Sequence, residues 1–359
     1  MRKKLRNILS LVLLLSFADG TVMFAQDPHF SQFWMSPLKL NPANAGIEYG
    51  LDAFINYKNQ WKSVTSPYKT YDVAVDMRLN RDKIIKRGFW AAGLDITSDK
   101  AGDGLLGTLQ ADLSLAYHLV LDPHNTLGAG LMGGFGKRSI SYSDLQWASQ
   151  YDGSTYNAAL PPGETSTAGG YTFVDLGAGL AWAYRKSSTN PVGYDSPNTD
   201  VGISFLHPQQ PANAFDAGSG AKLYMKIVAD ANTRIQLRDK DHSLVLNGLY
   251  TKQGTQQELV LGGMFRSVLQ EESVRTGYVR GTAFSIGAYY RNKDALIASL
   301  MLEIGQTSVG FTYDFNVSRL TAATTGLGGA EISIRFRVDK SLLIKPKSTL
   351  LDRKVKDVR

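Results

Sequence analysis

The sequence predicts an all-β transmembrane barrel of about fourteen antiparallel strands, and three observations carry that expectation. Segments of roughly ten residues alternate apolar and polar side chains with period two. Aromatic residues gather toward the ends of those segments. The chain opens with an export signal, yet no later stretch is apolar for the ~20 residues that a membrane-spanning helix needs.

Residues 1–25 read as a secretory signal peptide. Arg2, Lys3, Lys4 and Arg6 form its charged region, and Ile8 to Phe17 its apolar run. That run is too short to cross ~30 Å of hydrocarbon as a helix. Cleavage is expected after Ala25, leaving Gln26 first, although Met23 is larger than the small residue usual at that place.

Residues 26–50 form a segment ahead of the barrel. Asp27 followed by Pro28 has the chemistry of a helix start, an N-cap and a first-turn proline. Phe30, Phe33 and Trp34 would then share one helical face, with Pro37 ending the helix. So short a helix needs a surface to be stable, and the barrel mouth or lumen offers one.

Residues 51–338 carry the strands. In Leu105 to Leu119, Leu109, Ala111, Leu113, Leu115 and Tyr117 lie on one parity; Thr108, Gln110, Asp112, Ser114 and His118 lie on the other. Leu51 to Trp61 and Tyr68 to Leu79 repeat the pattern, and further runs start near Phe89, Leu127, Thr172, Val201, Leu223, Ser243, Glu258, Thr282, Leu296, Thr307 and Gly329. A soluble sandwich also alternates, but its strands are usually five or six residues long. Charged polar faces and the aromatics Trp61, Trp90, Tyr117, Trp182, Tyr184 and Tyr289–Tyr290 favour a water-facing lumen wall between two interfacial girdles. With strand one running outward, the long connection Ser139 to Gly170 lies outside the cell, and both termini are periplasmic.

Residues 339–359 differ in kind. Lys345, Lys347, Arg353, Lys354 and Lys356 interleave with leucine, isoleucine and valine. Such a basic tail suits docking on an acidic or apolar partner, and equally a solvated extension. The net charge of +7 sits in the two ends, and the body between them is balanced. A nucleic-acid-binding role, which needs a basic main surface, is therefore not expected.

Chemistry is hard to find. The chain has no cysteine, which removes disulfides, thiolate metal sites and a cysteine nucleophile. His29, His118, His124, His207 and His242 lack metal-ligand spacing, so structural roles are expected of them. Gly128, Gly130 and Gly133 match a dinucleotide pattern but fall inside a strand, where small residues permit bending and close packing. Asp95, Asp99 and Asp103 read as a solvated turn rather than a calcium loop. No nucleophile motif appears, and neither an enzyme nor a bound cofactor or metal is expected.

The most distinctive residues are Asp27, Pro28, Phe30, Ser31, Gln32, Phe33 and Trp34, then Asn41, Pro42, Ala43 and Gly46, then Asn59, Gln60 and Trp61. With Tyr313 to Asn316 and Gly328 to Phe336, these stretches resemble the opening and close of the PorP/SprF family, outer-membrane proteins of the Bacteroidetes type IX secretion and gliding machinery. The resemblance implies a barrel in contact with outer-membrane lipid, engaging periplasmic ring lipoproteins, a secreted cargo protein or a gliding adhesin. It brings no catalytic residues. The motif residues either contact a partner or fix a plug and close the barrel. The competing expectation is a passive pore or small-molecule transporter, which fourteen strands also suit.

Overall fold

Alternating side chains commit a segment to extended backbone when one face can be buried and the other solvated or set in lipid. The computed structural model describes residues 27–61, 66–79, 88–102, 104–141, 145–163, 169–185, 198–213, 215, 221–237, 241–271, 281–318 and 321–338. Fourteen strands are present: β1 (Leu51–Gln60), β2 (Tyr68–Arg78), β3 (Gly88–Ala101), β4 (Leu106–Val120), β5 (Asn125–Ser139), β6 (Gly170–Arg185) and β7 (Asn198–Leu206). The rest are β8 (Lys226–Gln236), β9 (His242–Gln253), β10 (Gln256–Gln270), β11 (Thr282–Arg291), β12 (Ala295–Ile304), β13 (Thr307–Asn316) and β14 (Leu327–Val338). Each pairs antiparallel with its neighbours in sequence, and β1 closes on β14 with Leu51 opposite Val338. The barrel therefore has no free edge.

The two strand faces differ as the periodicity requires. Ile55, Leu113, Leu131, Val174 and Ile286 project outward, whereas Asp72, Ser204, Thr312 and Glu331 are buried inside. Such an apolar exterior around a polar interior is the arrangement of a lipid-embedded barrel. Aromatic pairs mark both rims: Trp90 with Tyr117 at one, Tyr57 with Tyr71 and Trp61 with Tyr68 at the other. Tyr289 departs from the expected girdle. It is 1% exposed and stacks at 4.4 Å on Trp34 inside the barrel, because its parity on β11 points to the lumen.

Two mouths follow from the topology. The tail mouth is where Leu51 meets Val338; the loop mouth carries the long β5–β6 connection. Asp95 and Asp99 belong to β3, Asp95 being buried in the lumen wall, so they form no turn; Asp103 lies outside the described residues.

Candidate functional site

Residues 27–50 run through the lumen as a plug, and the wall is built to receive them. The expected helix over Asp27 to Trp34 does not form. Residues 27–30 are irregular, Phe33–Met35 make one 3-10 turn, and Pro37 begins rather than ends an α-helical turn, Pro37–Leu40. Two backbone donors that a helix would have used go to one wall carboxylate. Ser31 N–H donates to Glu331 Oε1 at 2.7 Å, and Gln32 N–H to Glu331 Oε2 at 2.9 Å. Glu331 also ion-pairs with Lys58 at 3.1 Å, both side chains being at most 2% exposed. Ser31 Oγ donates to Asp314 at 2.7 Å, and Arg291 closes this network on Asp314 at 3.1 Å. Buried charges are tolerable only when paired and hydrogen-bonded, as these are.

The plug begins at the loop mouth. Asp27 sits 2.9 Å from His207 Nε2 and 3.5 Å from Lys226, while His207 Nδ1 lies 2.7 Å from Asp175. His207 follows β7 in the left-handed backbone region, φ +55°, which is unfavourable for a residue with a Cβ. Burial would lower the His207 pKa, but Asp27 and Asp175 outweigh it and hold it at about 9. Burial likewise opposes the Asp27 charge, yet His207 and Lys226 keep that carboxyl well below its usual range. His29 is pushed down, by burial first and then by Lys58, Arg291 and Lys226, so it is neutral. Asp27 and Val338 thus lie at opposite mouths. The described chain differs here from the expectation that both termini sit on one side, because the plug threads the full lumen.

Midway, Phe33 and Leu40 join Val228, Leu249, Val260 and Ile297 in an apolar core inside the barrel. Phe30 is buried as well. Lys39 donates to Thr97 Oγ1 at 2.7 Å.

The stretch Asn41 to Gly46 docks on wall glycines. Asn41 accepts from Ala43 N–H at 2.9 Å and donates to Leu180 O at 2.9 Å; Pro42 starts the next 3-10 turn. A Cβ on Gly179 would stand 2.0 Å from Asn41 Oδ1, and one on Gly130 would stand 2.5 Å from Ala43 N. Gly130 thus serves close backbone approach, as its place in a strand implied. At the tail mouth Gly46, φ +64°, donates to Asp76 at 2.7 Å and accepts from Arg78 Nε at 2.6 Å.

The motif stretches singled out in the sequence converge in part. Asp27, Pro28, Gln60 and Trp61 line one vestibule at the loop mouth, and the closing stretches supply Asp314 and Glu331 to the plug. Asn59 stands apart, on the outward parity of β1. Lys345, Lys347, Arg353, Lys354 and Lys356 lie outside the described residues. Sequence reasoning missed His207, Asp175 and Arg78 as plug anchors. Their partners are far away in the chain, and nothing in their local spacing marks them.

No protein of curated function matches the chain in sequence. Among solved structures, it is similar to the COG4313 outer membrane channel from Pseudomonas putida F1, at 12% identity and TM-score 0.38, over 81% of this chain and 96% of that one. It is also similar to the TodX monoaromatic hydrocarbon channel, as its deltaS2 mutant, at 10% identity and TM-score 0.40, over 84% and 94%. A third, the beta domain of the Bordetella autotransporter BrkA, has 12% identity and TM-score 0.31, over 80% and 98%. The family model for the type IX secretion system membrane protein PorP/SprF matches residues 22–336, nearly the whole of the described barrel together with its plug, and the chain belongs to that family.

Proposed function

We propose that this barrel works in type IX secretion as a protein-binding component of the outer membrane, engaging periplasmic ring lipoproteins, a secreted cargo protein or an adhesin during export. The observation that carries this reading is the docked plug. The Asp27–His207 pair holds residues 27–50 at one mouth, the Glu48–Arg335 pair and the Gly46 N–H on Asp76 hold them at the other, and an apolar core holds them in between. A passive pore for small solutes needs a continuous aqueous path, and a plug fixed along its length counts against one. The motif residues therefore read first as plug and wall contacts, and only those at the mouths remain available to partners. In this reading the tail mouth faces the periplasm, and Asp27 with the β5–β6 connection faces outward.

The test is a pull-down of the tagged full-length protein from its native outer membrane in detergent, with mass spectrometry of what co-purifies. Recovery of ring lipoproteins or of a large secreted protein is the expected result. Recovery of the barrel alone, together with solute flux in liposomes, would replace this reading with the pore.

A further inference from the structure

Below the plug, a cleft of about 130 Å³ is lined by residues from the tail-mouth halves of β7 to β14, by Asp52 of β1 and Asp76 of β2, and by the plug itself. Its floor is apolar: Trp34, Met35, Leu40, Val245, Met264 and Met301. Its walls carry six carboxylates against three guanidiniums. Most of those carboxylates are already answered. Arg335 takes Asp52 and Glu48, Arg337 and Arg266 take Glu303, and Arg185 takes Asp200.

Asp76 pairs with no cation among the described residues but accepts from Gly46 N–H at 2.7 Å, which leaves Asp230 as the carboxylate with an unpartnered oxygen. Asp230 is 4% exposed, Asn232 reaches it only at 3.5 Å, and its Oδ1 has no hydrogen-bond partner. Among the described residues no cation pairs with it. Two further buried polar atoms of the cleft are unpartnered, Trp34 Nε1 and Ser308 Oγ. A buried carboxylate without a counter-ion is costly, and so are orphaned donors, which marks the cleft as a place for a cationic, hydrogen-bonding occupant.

We propose that the cleft is a docking site for a cationic amphipathic peptide, and that its occupant is this chain's own tail, residues 339–359. Three features of the molecule select the tail. It leaves the barrel after Val338, one residue past Arg337, a wall residue of the cleft. It carries seven basic residues against three acidic, a source of cation for the one carboxylate oxygen left unpartnered, on Asp230. Its interleaved Leu342, Leu343, Ile344, Leu350 and Leu351 match the methionine and tryptophan floor. Reach is sufficient for the distal half of the tail: Asp230 lies six positions inside β8 from Gln236, about 20 Å deep, and β8 stands six strands from β14 across the closed barrel, whereas Arg353 follows Val338 by fifteen residues, ~50 Å of extended chain at ~3.3 Å per residue.

Docking in its own barrel needs no secretion partner, so the purified full-length protein in detergent or liposomes suffices. The chain has no cysteine, which makes engineered pairs clean. Asn232→Cys combined in turn with Ser341→Cys, Ser348→Cys or Val355→Cys is oxidised mildly and run without reductant. The expected result is an intramolecular disulfide with at least one tail position, formed about fivefold more slowly after Asp230→Asn or in high salt, as loss or screening of one partly solvated charge pair implies. A spin label on the single variant Ser348→Cys, immobilised with Asp230 intact and freed by Asp230→Asn, gives an independent readout if the double variants fold poorly. No disulfide and a mobile label would overturn the proposal, and intermolecular disulfides would transfer the site to a second copy.

Discussion

His207 Nε2 lies 2.9 Å from Asp27 Oδ2, so a residue 180 positions further along the chain fixes where the plug begins. The His207 pKa is raised from 6.5 to about 9, so its contribution to plug docking is complete below pH 6.5 and lost as pH rises through about 9. A shift of that size corresponds to roughly 3 kcal/mol. Asp27, depressed below its ordinary 3.8, contributes above that value and loses its contribution as pH falls below it. Docking of the plug start is therefore tightest between about pH 4 and 6.5. Limited proteolysis of the liposome-embedded barrel is expected to spare residues 27–36 at pH 6 and to cut them above pH 9. His207→Gln should abolish that alkaline response; a response that survives the substitution would assign it to another group.

Glu331 is the second anchor, taking two plug N–H groups and the Lys58 ammonium. Glu331→Gln leaves a buried cation without its counter-charge, an expected loss of roughly 3–5 kcal/mol. Urea unfolding of the refolded barrel measures it. Adding Lys58→Met should recover part of the loss, because the two residues act as a pair. Additive effects in that cycle would mean the ion pair is not what holds Ser31 and Gln32.

The glycines of β5 and β6 test the fit of Asn41 to Ala43. Gly130→Val would drive a side chain into backbone, since its Cβ would already stand 2.5 Å from Ala43 N. The expected cost is about 1–3 kcal/mol, with the barrel still closed and residues 41–46 newly sensitive to protease. A substitution at Gly133, which meets nothing within 4 Å, is the matched control and should change neither.

Phe33 and Trp34 carry the apolar part of the plug, Phe33 in the lumen core and Trp34 on Tyr289. Replacing Phe30, Phe33 and Trp34 together with alanine is expected to remove roughly 3 kcal/mol or more for each fully buried ring. The plug should leave, and single-channel recordings in planar bilayers should show a conductance the native barrel lacks. Equal conductance in both proteins would mean that the plug does not close the path.

Much of the barrel was legible in the sequence. Period-two alternation names the strands and sorts Leu113 outward and Asp112 inward without reference to any other segment, because successive residues of a strand must face opposite ways. It also explains why Gly130 could be recognised as a strand residue and not a phosphate loop. The plug was only half legible. Phe30, Phe33 and Trp34 are apolar and needed burial, and all three face protein, but their helical spacing misled: Glu331, some 300 positions away, supplies the acceptors that a helix would have provided internally.

By itself, then, the sequence determined which segments cross the membrane, which face of each meets lipid, and that residues 26–50 needed a surface. Only the tertiary structure decided that this surface is the whole length of the lumen, with Asp27 at one mouth and Gly46 at the other. Local periodicity is written residue by residue, whereas the thread through a closed barrel depends on charges and glycines contributed by strands far apart in the chain, which meet only when β1 closes on β14.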